Sequence, residues 1–162
     1  MSEATSRAAD SPVVKIGVLL PQPPDELGEW LSDAAAFEAA GADALWIDAG
    51  PNLDPLTLVA ALAALTYRSL LITALDGDAE SLALATVRRV SHGRFALSTD
   101  GDWEHWVQVP PPEGRPAWRT ALAEAAERGD RGLLVPADPR LLDILRNPGD
   151  PDGRQDLQLA QG

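Results

Sequence analysis

The chain of 162 residues contains no cysteine. That excludes disulfide bonds, thiolate zinc sites and a cysteine nucleophile, and it leaves the redox compartment open. Lysine occurs once, at Lys15, and Arg88-Arg89 is the only basic doublet. The balance of 13 basic against 25 acidic residues gives a formal charge of −12. Without a basic patch, a field of that sign repels nucleic acid and anionic membranes. No apolar run approaches the roughly 18 residues of a membrane span, and the longest lies around Leu56 to Leu65. Met1 to Pro12 is polar and lacks the hydrophobic segment of a secretory signal. The expectation is a cytoplasmic protein that binds neither membrane nor nucleic acid. With two histidines and scattered aspartates, no metal site is expected either.

What is present is enough for a core, since 45 % of the residues are hydrophobic. Arginine in place of lysine, with abundant alanine, aspartate and proline, points to a GC-rich bacterial genome. The length suits one domain and falls short of the roughly 200–250 residues of an eight-stranded α/β barrel.

Short β-rich runs alternate with helical ones. Strands are predicted at Val13–Leu20, Ala44–Asp48, Ser69–Leu75, Arg94–Ser98, Trp103–Val109 and Gly132–Val135. In the first helix, Leu27, Trp30, Ala34 and Phe37 form one apolar stripe, and Gly41 stands where a glycine closes a helix. Asp54-Pro55 opens the second, which is apolar nearly all round from Leu56 to Thr66. Helices are also predicted over Glu80–Ser91, Pro116–Arg128 and from Asp138-Pro139 to Leu145, the fourth stopped by Gly129. Units of about 25–30 residues indicate parallel βαβ construction. A flexible segment 1–12, one domain 13–146 and an irregular tail 147–162 are expected. Periodicity leaves two architectures open, an open doubly wound sheet and a barrel that has lost units.

The segment Lys15-Ile16-Gly17-Val18-Leu19-Leu20-Pro21-Gln22 resembles the opening strand of the bacterial luciferase-like flavin- and deazaflavin-dependent monooxygenases. Ala36-Phe37-Glu38-Ala39-Ala40-Gly41-Ala42-Asp43-Ala44-Leu45-Trp46 is similar to that family's first helix and second strand. Asp54-Pro55-Leu56-Thr57-Leu58 through Thr66, with Arg68 and Leu71-Ile72-Thr73-Ala74, resembles the next helix and strand. Leu84–Val90 and Ser91-His92-Gly93-Arg94-Phe95 resemble the third helix and the entry to strand four. The resemblance covers Lys15 to Gly101 and fades thereafter. It implies a shortened luciferase-like, TIM-type α/β barrel with about six parallel strands and five helices. It also implies oxidoreductase or monooxygenase chemistry with FMN or a deazaflavin on a small molecule, and a homodimer.

In parallel α/β folds chemistry gathers at the carboxyl ends of the strands. The candidate cofactor contacts there are Gln22, Asp48, Thr73, Ser98 and Thr99, and Thr73 matches a position that faces the flavin ring in the family. Thr73 is more simply explained as a β-branched strand residue. The family's histidine after the second strand is replaced by Ala49, which cannot move a proton, so no catalytic residue is assigned. The acidic mouth formed by Asp48, Asp76, Asp100 and Asp138 also disfavours phosphate. His92 reads as a helix-end residue and His105 as a partly buried strand histidine. Asp76 and Asp78 read as a turn around Gly77. Trp118 reads as core, and Trp103 and Trp106 as interface candidates. The alternative to an enzyme is a non-catalytic relative acting as a dimeric binding or scaffold protein. In either case the unpaired edges of an incomplete barrel predict a homodimer, with its interface on Leu56–Leu65 or Trp103/Trp106. A flavodoxin-like sheet is disfavoured because Pro21, Pro23 and Pro24 occupy the place of a phosphate loop.

Overall fold

The computed structural model describes residues 13–76, 81–100, 103 and 105–150. The segment 1–12, the Gly77-Asp78 half of the acidic turn and the tail beyond Asp150 lie outside the described residues. Six strands form one sheet: β1 Lys15–Leu19, β2 Ala44–Ile47, β3 Leu70–Thr73, β4 Phe95–Leu97, β5 Trp106–Gln108 and β6 Gly132–Pro136. Five helices accompany them: α1 Leu27–Ala39, α2 Pro55–Leu65, α3 Leu82–Val90, α4 Arg115–Arg128 and α5 Pro139–Arg146. The expected α/β fold with six parallel strands and five helices is present.

The helix boundaries follow local chemistry. The Asp54 carboxylate accepts from the Thr57 amide at 2.7 Å, and that of Asp138 from the Arg140 amide at 2.7 Å. Each cap is followed by a proline, whose missing N–H costs nothing in the first turn. Gly129 closes α4 with φ +77°, and Gly41 stands two residues past the end of α1 with φ +112°, both left-handed conformations suited to glycine.

All five strand pairings are parallel, in the order β4-β3-β2-β1-β6-β5. This is the cyclic order of a six-membered ring in which only the β4–β5 pairing is missing. A doubly wound sheet instead reverses its direction of winding at the switch point. Here the winding never reverses, which places the fold with shortened TIM-like architectures.

One face of the sheet carries Val18, Leu45, Leu71, Phe95, Leu133 and Val135 into the main core, against Phe37, Val59, Leu62, Val87 and Leu141 of the helices. The opposite face carries Gly17, Trp46, Ile72, Trp106 and Leu134. In a flat sheet β2 and β5, three strand spacings apart, would be separated by roughly 14 Å. The Trp46 and Trp106 rings nonetheless have centroids 5.4 Å apart, and Trp103 lies 4.8 Å from Trp46 and 6.0 Å from Trp106. The sheet therefore curls, and three indoles fill its lumen.

Two glycines make room for them. A Cβ on Gly132 would lie 2.5 Å from two carbons of the Trp106 ring, and one on Gly17 would lie 2.9 Å from the same ring. Trp103 and Trp106, the interface candidates, are both half-buried and packed on Trp46. β5 is also shorter than expected, because Trp103 and His105 belong to the turn that precedes it and His105 is exposed. Trp118 is buried in the core, as expected.

At the amino ends of the strands α1, the α2–β3 turn and the entry to β4 are knitted together. Glu38 is only 5 % exposed, and its carboxylate accepts from the amides of Tyr67 (2.6 Å), Arg68 (3.0 Å) and Ser69 (2.8 Å). The Arg94 guanidinium donates to the carbonyls of Ala63, Thr66 and Ser69 and to the Thr66 hydroxyl, closing the end of α2. These groups satisfy backbone atoms that the α2–β3 turn would otherwise leave without partners.

Candidate functional site

The carboxyl ends of β1 to β4 open onto a cavity of about 690 Å³, a size suited to a small molecule. Among the described residues its wall comes from three places. Leu19 and Trp46 rise from the lumenal face. Asp48 to Pro51 and Leu53 to Pro55 come from the β2–α2 connection. Thr73 to Asp76 and Ser98 follow β3 and β4. The β2–α2 turn is fixed by Asp48, which accepts from the Gln22 side-chain amide at 3.0 Å and from the Gly50 amide at 2.9 Å. Gly50 adopts φ +65°, and the Gln22 amide would meet a Cβ there at 3.3 Å. Hydrogen bonds from Gln22 and then from the Gly50 amide hold the Asp48 carboxyl below its usual range. It is thus ionised at neutral pH with both oxygens engaged, which suits a turn-holding group and not a general base.

The five candidate contacts divide. Gln22 and Asp48 meet directly at the rim. Ser98 lines the cavity and donates its amide to the Thr73 carbonyl at 2.9 Å. Thr73 borders the cavity, but its side chain is buried and its hydroxyl donates to the Ile47 carbonyl at 2.9 Å, an arrangement that ties β3 to β2. Thr99 is exposed and is not among the lining residues. Ala49, at the position where the resemblance implies histidine, is part of the wall. Trp46 and Leu53 were not singled out as lining residues from the sequence. The signal for Trp46 was its two-residue spacing from Asp48 at the end of a strand, which alternation places on the lumenal face.

FMN and phosphorylated deazaflavins need a place for a phosphate, which wants arginine, hydroxyls or an open helix N-terminus. Asp48, Asp54 and Asp76 line the cavity, and no lysine or arginine does so among the described residues. The N-terminus of α2 borders it, but the Asp54 carboxylate occupies that end, accepting from the amide and hydroxyl of Thr57, both at 2.7 Å. The bias extends along this end of the sheet. Among the described residues, the connections 20–26, 48–54, 74–76, 109–114 and 137–138, each following a strand, hold seven Asp or Glu and no Lys or Arg. The residues at this end do not fit a phosphate.

Compared with known proteins, the chain matches no family model and no curated protein. The described residues include no helix long and apolar enough to cross a membrane. No group of three or more histidine, aspartate or glutamate side chains among them could hold a metal ion.

Proposed function

We propose that this chain is a cytoplasmic small-molecule-binding protein, a non-catalytic relative of the luciferase-like monooxygenases that keeps the mouth of the fold without the phosphorylated flavin. The observation that carries this reading is the cavity lined by Asp48, Asp54 and Asp76 with no cationic side chain among the described residues. Ala49 in place of the family histidine supports it, since no imidazole lines the wall among the described residues and the hydrogen bonds to Asp48 hold its carboxyl low. The test is direct. Protein purified from a flavin-replete host should show no absorbance near 450 nm beyond baseline (roughly the flavin band). Titration with FMN should leave the tryptophan emission without a saturable change, with Trp46 in the wall as the reporter. A stoichiometric yellow chromophore would refute the reading and restore the flavin-dependent enzyme.

A homodimer is proposed alongside, on one observation. The groove of about 520 Å³ at the ends of α2 and α3 is lined by Tyr67 and Val90, which are 81 % and 42 % exposed. The fully buried Leu62 faces the core instead, so an arginine there would unfold the protein without reporting on assembly. Light scattering should give twice the chain mass, and Tyr67→Glu should return it to one. A monodisperse wild-type monomer at high concentration would contradict the dimer.

A further inference from the structure

A second cavity, of about 410 Å³, lies at the opposite, amino end of the lumen. We infer that it is a binding site for a planar aromatic carboxylate, distinct from the mouth. Its walls are Trp103 and Trp106, with Leu70 and Val13 beside them, and its rim carries Lys15 and Arg131. Two half-buried indoles, packed edge to face at 65°, line one space and offer an aromatic contact to a flat ring. The ring needs a charge of a particular sign. Lys15, the one lysine of the chain, makes no ion pair among the described residues. Asp130, the acidic residue of the lining, is already neutralised by the Arg128 guanidinium at 2.8 Å.

Among the described residues, the Trp103 indole N–H is the one buried side-chain donor without an acceptor, and it belongs to a residue that walls the cavity. The class of ligand is therefore a flat aromatic ring that carries a negative charge. The mouth, with its aspartates, offers the opposite chemistry at the other end of the same lumen.

The probe is 2-naphthoate, with 2-naphthylmethanol as its uncharged control and 2-naphthylmethylammonium as the charge-reversed one. Isothermal titration should rank naphthoate tightest and the ammonium weakest. Lys15→Gln removes an exposed charge and no packing, and should weaken naphthoate about tenfold while leaving the alcohol unchanged. In a ¹⁵N-labelled sample, naphthoate should shift the indole N–H resonances of Trp103 and Trp106, assigned through Trp103→Phe and Trp106→Phe. Those of the core residues Trp30 and Trp118 should stay in place. Equal affinity for the three probes, an unaffected Lys15→Gln variant, or shifts confined to Trp46 at the mouth would each overturn the assignment.

Discussion

Replacing Gly132 with alanine should destabilise the protein by about 1–3 kcal/mol, the usual cost of forcing extra volume into a packed interior. The methyl group would run into the Trp106 ring, which packs on Trp46 and Trp103 and cannot yield without disturbing them. If the lumen is filled in this way, shrinking Trp106 relieves the clash. Trp106→Leu alone should be destabilising through the cavity it leaves. In the Gly132→Ala background its cost should fall by on the order of 1 kcal/mol, a coupling that urea denaturation of the four-member cycle reads directly. Strict additivity would mean that Trp106 does not lie over Gly132, and the curled sheet would lose its main support.

Glu38→Ala should be the most damaging single truncation at the amino ends of the strands. It leaves the amides of Tyr67, Arg68 and Ser69 without their acceptor in a closed site, at a cost of about 3 kcal/mol or more. For a chain of this size that lowers Tm by about 6–12 °C. Glu38→Gln keeps the shape with one acceptor oxygen in place of two, so it should lie between wild type and alanine. Burial pushes the Glu38 carboxyl up, yet the amides of Ser69, Arg68 and Tyr67 together with the Ser69 side chain outweigh it, and the net position is below the ordinary glutamate value. A carboxyl lowered in the folded state contributes stability that is present above its unfolded pKa and is lost as pH falls through its folded one. Wild type should therefore lose stability in acid more steeply than Glu38→Gln. Parallel acid limbs for the two proteins would contradict the role given to the carboxylate.

Glu38 and Arg94 also explain why half of the fold was legible in the sequence. The segments Phe37-Glu38, Arg68-Ser69 and Gly93-Arg94 stand out because charged side chains there satisfy backbone atoms of the α2–β3 turn. The caps Asp54-Pro55 and Asp138-Pro139 were legible for the same reason, since their chemistry is local and each residue acts within three positions of itself. The lumen was not. Trp46, Trp103 and Trp106 come from β2, a turn and β5, and only the strand order brings them together. Gly17 and Gly132 gave the one hint, glycines inside predicted strands, where a close approach by another group is the physical reason to expect them. At the mouth the acidic character was readable from composition. The engagement of the Thr73 hydroxyl by the Ile47 carbonyl was not, because alternation along a four-residue strand does not say which end group a hydroxyl will reach.

The central claim, that the mouth refuses a phosphate, is tested most directly by comparing riboflavin with FMN, which differ by that group alone. Affinities for both should be measured by equilibrium dialysis at low and at high ionic strength. Whatever affinity the neutral riboflavin shows, FMN should bind more weakly at low salt, and the gap should narrow as salt screens Asp48, Asp54 and Asp76. FMN binding more tightly than riboflavin would contradict the account.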